Sequence, residues 1–494
     1  MNTQSFRRLD ATDLAELIQK KEVTAVELLD LSFQVAKELN PPLNAIIHMR
    51  KKAVYEEAQK LDRLNLPLAG VPILLKNISQ AIKDEPMTAG AKLLKGNIAK
   101  QTSNFVSKLQ KAGCLIIGHT NTPEFGLKNI TEPELHGVTR NPSNTEYSAG
   151  GSSGGAAAAV ASGIVPVAGA SDGGGSIRIP ASFTNIFGLK PTRGRTPVGP
   201  GIGRQWQGAS IDFVVSRTVR DSAAILDELQ VIQPEAAFQV PLFAGSYTEQ
   251  LKRPWVKPLR IGFTTESPVG TPVSAEACKA VKKTMTWLEQ QGHHVEERNN
   301  DVDGIGLMKN YYLMNCGEIS AMIQSMEKML GRKVTPGDVE IETWLLHEAG
   351  KSVSATEFTG SLASWDRAAA QMASYHEKYD FFVTPATAFS APRIGELSHS
   401  TAEQERLQEQ MAKLAGDVTK QQQLIYEMFL PSLTYTPFTQ LANLTGQPAM
   451  SVPVHMTEEG LPIGVQFMAT KGREDALLKI AWQLEQSAIW EGNR

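Results

Sequence analysis

Ser171-Asp172-Gly173-Gly174-Gly175-Ser176-Ile177-Arg178-Ile179-Pro180 places three consecutive glycines directly before a serine. Successive backbone N–H groups in such a run can point into one concavity, which suits a developing oxyanion, and a side chain there would obstruct it. Upstream lies a second cluster, Gly150-Gly151-Ser152-Ser153-Gly154-Gly155, which runs into the alanine-rich segment 156–161. Glycine and serine together often make a flexible linker. Here the alanines predict a helix and Val165-Pro166-Val167-Ala168 predicts a buried strand. The glycines therefore fall at turns, where backbone must approach something closely.

Further upstream, Val71-Pro72-Ile73-Leu74-Leu75 reads as a short buried strand that delivers Lys76 at its end. A lysine seated among apolar neighbours loses part of its preference for charge, because desolvation lowers its pKa. The neutral amine can then accept a serine proton, the logic of serine–lysine catalysis. Taken singly these features are weak, since a strand-end lysine is usually solvated or salt-bridged. Other hydrolytic and nucleotide signatures are missing. No Gly-x-Ser-x-Gly elbow surrounds Ser176, no phosphate-binding loop with Gly-Lys-Ser/Thr occurs, and there is no His-Glu-x-x-His zinc helix. Ser325-Met326-Glu327-Lys328 matches a Ser-x-x-Lys pattern but lacks the companion motifs.

Outward from this centre the chain alternates strands and helices. The first 60 residues read as helical, with Thr24-Ala25-Val26-Glu27 as a capping box and Asn40-Pro41-Pro42 as the stop. A helix over about 104–111 precedes the strand Leu115-Ile116-Ile117-Gly118. Beyond residue 258, the pattern predicts strands at 259–263 and 381–385, a helix over 274–291, a largely helical stretch from 304 to 379, and one charged helix over 403–427. Near the C-terminus, strands at 449–454 and 463–467 flank a loop with hairpin chemistry, and a helix begins at Glu474. The alternation implies an α/β fold, a central mixed β-sheet covered by helices on both faces. No boundary divides the chain, so residues 1–494 read as a single domain with a helical N-terminal extension over 1–65.

Composition is ordinary for a globular protein, 41% hydrophobic and 20% charged, and the net charge of −3 comes from interspersed groups. No basic stripe points to nucleic acid. The first ten residues lack the apolar run of a secretory signal, and no stretch of roughly 18 apolar residues predicts a membrane span. Three widely spaced cysteines, Cys114, Cys278 and Cys316, suit a reducing, cytoplasmic setting better than a disulfide framework.

In order along the chain, Lys76, Gly151-Ser152-Ser153-Gly154 and Asp172 to Pro180 resemble the amidase signature family. The resemblance extends to Asn121-Thr122-Pro123-Glu124-Phe125, Thr139-Arg140-Asn141-Pro142 and Phe187-Gly188-Leu189-Lys190-Pro191-Thr192-Arg193-Gly194-Arg195. It returns in Asn443-Leu444-Thr445-Gly446-Gln447-Pro448-Ala449 and Gly460-Leu461-Pro462-Ile463-Gly464-Val465-Gln466. It covers nearly the whole chain and is densest over a signature core at 70–200. Within the family the pattern is most similar to hydrolases of 6-aminohexanoate cyclic dimer. This resemblance implies Ser176 as nucleophile, Ser152 as a bridging serine held by a cis Gly151–Ser152 peptide, and Lys76 as base. It further implies that the N–H groups of Gly173, Gly174, Gly175 and Ser176 form an oxyanion hole. Ser153, Asp172 and Arg178 are expected to support the relay, the latter two as an ion pair. Two positions depart from the family's habit: Asn77 stands where Asp is more frequent, and Gly173 where bulkier residues are common.

The implied activity is hydrolysis of a linear or cyclic carboxamide through an acyl-enzyme, with no metal or organic cofactor. The partner is a small-molecule amide, with neither nucleic acid nor membrane, and a homodimer is left open. Cys316 is expected either to line the acyl pocket or to be a buried inert thiol. The loop Gly199-Pro200-Gly201-Ile202-Gly203-Arg204-Gln205-Trp206 suits either a site cover or a plain turn. Two other readings stand beside this one. The first is the glutamine-hydrolysing component of the tRNA-dependent amidotransferase, disfavoured by Gly208-Ala209-Ser210-Ile211-Asp212-Phe213. The second is a catalytically inactive homologue acting as a binding protein.

Overall fold

The computed structural model describes residues 1–492. One hydrogen-bonded sheet of 11 strands runs through it. The strands are β1 (Ile46–Met49), β2 (Pro72–Lys76), β3 (Leu115–Thr120), β4 (Val167–Asp172), β5 (Phe187–Lys190), β6 (Ile211–Ser216), β7 (Arg260–Phe263), β8 (His294–Glu297), β9 (Phe381–Pro385), β10 (Ala449–Met456) and β11 (Pro462–Ala469). Their order across the sheet is β1-β3-β2-β4-β6-β5-β10-β11-β9-β7-β8. Parallel pairing of β2 with β3 and β4, and of β7 with β8 and β9, combines with antiparallel pairing elsewhere. The sheet is therefore mixed and flanked by helices, the α/β architecture expected.

β2, β4 and β6 are buried along their whole length, which is why β2 reads as a short apolar run rather than an alternating one; β6, equally buried, is a strand the sequence reading did not place. The main core packs the sheet against helices that include Ala25–Leu43, Gly154–Ala161, Val219–Leu229, Ala275–Gln290 and Glu474–Glu485. A second apolar cluster joins helices Gly304–Leu330, Ile341–Gly350 and Val418–Tyr435, with Tyr312 stacked on Phe429 at 5.0 Å between ring centres. Among the described residues no helix is long and apolar enough to cross a membrane.

Three local expectations are corrected. The first 60 residues are not wholly helical, because β1 adds an edge strand antiparallel to β3. The helix from Ala25 is not stopped by Asn40-Pro41-Pro42; it keeps both prolines and ends at Leu43. Each proline removes one N–H from the helical ladder, and the chain leaves the helix soon after, at Asn44 in the left-handed region (φ 49°). Asn40 Oδ1 accepts the Ala45 and Ile46 N–H groups just beyond that exit. Finally, the charged stretch 403–427 forms parts of two helices, Thr401–Lys413 and Val418–Tyr435. Gly416 at φ 86° separates them and Asp417 caps the second.

Candidate active site

The three elements of the signature core converge at one end of β2 and β4. Lys76 closes β2 and is fully buried. Ser152 and Ser153 precede the helix Gly154–Ala161, whose glycine start is sterically required: a Cβ at Gly155 would lie 2.4 Å from Asn121 N and 2.6 Å from Ala45 O. The Gly151–Ser152 peptide is cis. Asp172 closes β4, the glycines follow as a turn, and Arg178 opens the short helix Arg178–Phe183.

Lys76 Nζ lies 2.7 Å from Ser152 Oγ and 2.9 Å from Ser171 Oγ. Among the described residues no carboxylate bonds to it directly. Burial lowers its pKa to about 7, and the charges of Asp212 and Asp172 only partly oppose that fall. Near neutral pH a large fraction of Lys76 is therefore a free amine. Asp212 is itself buried, held by hydrogen bonds from Ser79, Gln80 and Gln205.

Arg178 forms a fork with the Asp172 carboxylate at 2.9 and 3.0 Å, and neither side chain is exposed. Burial alone would raise the Asp172 pKa, but the Arg178 charge and hydrogen bonds outweigh it and bring the group down to about 2. The remaining guanidinium donors reach Thr439 O, Gln466 Oε1 and Asn443 Oδ1, so no charge is left unsatisfied. Ser153 Oγ donates to Ser171 O, and Ser153 N–H to Ser176 O.

The glycine turn departs from the expected set of four donors. The Gly175 N–H already donates to Asp172 Oδ1 at 2.7 Å, and the Ile177 N–H to Asp172 Oδ2. Among the described residues the N–H groups of Gly173, Gly174 and Ser176 have no protein acceptor. Gly175 stands at φ 126°, and a Cβ there would meet Thr439 Oγ1 at 2.2 Å, so its role is steric. At Gly173 a Cβ would touch Ser210 at an ordinary 3.5 Å, so this glycine enlarges the space beside the turn rather than answering a clash.

Ser152, Ser176, Gly173 and Gly174 all open onto one cavity of about 650 Å³. Its walls are largely apolar, with Phe125, Ile179, Tyr312, Met322 and Phe429 among them, and Lys128, Arg204 and Glu318 add charge. The segment 199–206 forms part of the wall, so of its two readings the site cover fits better. Among the described residues no hydrogen bond joins Ser176 Oγ to Ser152, though both line the same cavity.

Cys316 does not line it. On the helix Gly304–Leu330, Tyr311, Tyr312, Asn315, Glu318 and Met322 line the cavity, whereas Cys316, one turn beyond Tyr312, does not reach it. The Cys316 thiol is buried near Gln422 Nε2 at 3.5 Å, and burial pushes its pKa up to about 12. The sequence reading missed Ser171, Asn443, Thr439 and Gln466. A signal existed for Gln466, a polar residue inside the apolar run Ile463-Gly464-Val465-Gln466-Phe467, whereas Thr439 carried none.

The amidase family model matches residues 27–478. The chain belongs to the amidase signature family. Accordingly the amidase is an enzyme that hydrolyses carbon–nitrogen amide bonds. It is 40% identical over 490 residues to lipoamidase of Enterococcus faecalis, an alignment covering 99% of this chain and 64% of that protein. The amidase thus spans under two thirds of that relative's length. It is 34% identical over 496 residues to the 6-aminohexanoate-cyclic-dimer hydrolase of Paenarthrobacter ureafaciens, covering 98% of this chain and 96% of that protein. Among solved structures, 6-aminohexanoate cyclic dimer hydrolase complexed with substrate superposes with a TM-score of 0.86 at 33% identity, over 97% of both chains.

Proposed function

We propose that the amidase cleaves carboxamides with an extended aliphatic acyl chain, using Ser176 as nucleophile, Ser152 as proton relay and Lys76 as base. The observation that carries this reading is the 2.7 Å contact of Lys76 Nζ with Ser152 Oγ, made by a buried amine whose pKa is lowered to about 7. Ser176 attacks the carbonyl carbon while its proton passes to Ser152, and the Ser152 proton passes to the Lys76 amine. The tetrahedral oxygen is held by N–H groups of Gly173, Gly174 and Ser176. The relay then returns a proton to the nitrogen, the C–N bond breaks, and the amine departs from an acyl-Ser176 ester. Protonation is essential because an amide anion is a very poor leaving group. Water attacks the ester through the same relay and frees the carboxylate. The Ser176–Ser152 contact tightens when substrate enters, as catalytic hydrogen bonds commonly do on forming the Michaelis complex.

The apolar cavity supports a long acyl group, and the relatives named above are a lipoamidase and a 6-aminohexanoate-cyclic-dimer hydrolase. The test is amine or ammonia release from short and long aliphatic amides, lipoamide-type conjugates, glutamine, and linear and cyclic 6-aminohexanoate dimers. Turnover highest with the long acyl chains and abolished by Ser176→Ala is expected. Equal turnover in the parent and Ser176→Ala overturns the nucleophile, and a preference for glutamine overturns the substrate class.

A further inference from the structure

Three successive carbonyl groups at the glycine turn are each held by a side chain from outside it. Asn443 Nδ2 donates to Asp172 O at 2.9 Å, the Tyr311 hydroxyl to Gly173 O at 3.1 Å, and the Thr439 hydroxyl to Gly174 O at 2.7 Å. In a trans peptide the C=O and the following N–H point in opposite directions, and these peptides are trans. Each anchor therefore also aims one N–H, those of Gly173, Gly174 and Gly175 in turn. The last is taken by Asp172, which leaves the N–H groups of Gly173 and Gly174 directed away from their anchors. Asn443 and Thr439 are fully buried, whereas Tyr311 lines the cavity.

Asn315 lies one turn beyond Tyr311 on the same helix, and its Oδ1 accepts the Trp206 indole N–H at 2.6 Å. An indole N–H only donates, so Asn315 accepts with its carbonyl oxygen, and the single Tyr311 proton goes to Gly173 O. Trp206 sits in the wall segment 199–206, with Gln205 and Arg204 beside it. Burial pushes the Tyr311 pKa up to about 12, so it remains a donor at any working pH.

We propose that Tyr311 is a positioning residue for the oxyanion site, fixing the Gly173–Gly174 peptide so that the Gly174 N–H faces the reacting oxygen, with Asn315 and Trp206 setting its direction. Two hydrogen bonds, Trp206 to Asn315 and Tyr311 to Gly173 O, made from neighbouring turns of one helix, thereby relate a side chain in the substrate wall to a donor of the developing anion. The inference rests on Ser176 being the nucleophile. Loss of the hydroxyl frees the peptide to rotate and removes stabilisation felt mainly in the transition state, so kcat falls rather than KM rising.

Tyr311→Phe removes only that hydroxyl. A roughly tenfold fall in kcat is expected, smaller than the ~10²–10³ lost when an oxyanion donor is deleted outright, with KM and melting temperature little changed. Affinity for an alkylboronic acid, which places a tetrahedral anion on the serine, should fall by the same factor. Trp206→Phe, which keeps a ring but drops the indole N–H, should lower both in the same direction and by less. Ser176→Ala is measured alongside. Boronate binding lost in Ser176→Ala but undiminished in Tyr311→Phe overturns the clamp and leaves the nucleophile standing. Boronate binding that survives Ser176→Ala overturns the nucleophile and the clamp with it. A raised KM at unchanged kcat makes Tyr311 a wall residue alone and also overturns the clamp. Should Tyr311→Phe not fold, an unchanged kcat in Trp206→Phe overturns the clamp by itself.

Discussion

As the proposed base, Lys76 can act only when neutral, so its ionisation should govern the acid limb of the rate. An ordinary lysine near pKa 10.4 is less than ~1% neutral at pH 8. With the pKa lowered to about 7 by burial, roughly nine tenths of Lys76 is neutral at pH 8 and about a tenth at pH 6. The pH dependence of kcat/KM, which reports the free enzyme, should climb about tenfold per unit below neutrality and level off above pH ~8. The assay is initial-rate amine release from one aliphatic amide across about pH 5 to 10, in buffers of constant ionic strength, with Ser176→Ala as blank. An acid limb centred near 10 would mean that burial does not lower Lys76. A flat profile between about pH 5.5 and 8.5 would remove Lys76 from the base role, and either result refutes the reasoning.

Asp212→Asn removes a negative charge that holds the Lys76 pKa up, so its acid limb should move to lower pH; a shift to higher pH in the same titration would contradict this. Lys76→Met should be inactive yet melt no lower than the parent at neutral pH. The sign follows from linkage: between about 7 and 10.5 the unfolded chain binds the Lys76 proton and the folded one does not, so this lysine costs stability most below pH ~7 and less as pH rises. A melting temperature several degrees lower in scanning fluorimetry would show that Lys76 stabilises instead. Gly173→Ala should keep activity within a few-fold, as its Cβ would find ordinary contact, while Gly175→Ala, with its Cβ 2.2 Å from Thr439 Oγ1, should abolish it or yield insoluble protein. Equal activity in the two variants, by amine release, would contradict the steric assignment.

The sheet was legible where a buried strand is a short apolar run bounded by turn residues, as in β2, β3 and β9, but not at β5 and β6, equally buried, where Gly188, Lys190 and Asp212 interrupt the run. β1 escaped because Ile-Ile-His-Met is four residues long, without alternation, and owes its strand to pairing with β3. The break at Gly416-Asp417 carried its own signals, a glycine suited to a left-handed C-terminus and an aspartate suited to an N-cap, yet the surrounding charge pattern outweighed them. The convergence of Lys76 with Ser152 followed from residue chemistry and family pattern together. Whether Cys316 or Asn315 meets the cavity was not legible, because the side a helical residue faces depends on packing of the whole bundle. Apart from Asp172, the partners of Arg178 lie more than 260 residues away in sequence, and no local pattern reports such a contact.

The place of β10 beside β5 bears on how the chain is made. β5 is complete at Lys190, but the neighbour that pairs its Gly188 and Lys190 is the segment from Ala449 onward. At a synthesis rate of about 5–20 residues per second, the intervening ~260 residues keep that edge waiting for tens of seconds on the ribosome. During that interval β5 presents unpaired backbone in what will become the interior of the sheet, the kind of edge that invites foreign strands. A nascent chain also lacks Asn443 and Gln466, so Arg178 has no full set of acceptors until translation has passed Gln466. The scaffold of the proposed nucleophile therefore matures late, and a polypeptide released before Gln466 is left with an incomplete site and an adhesive edge.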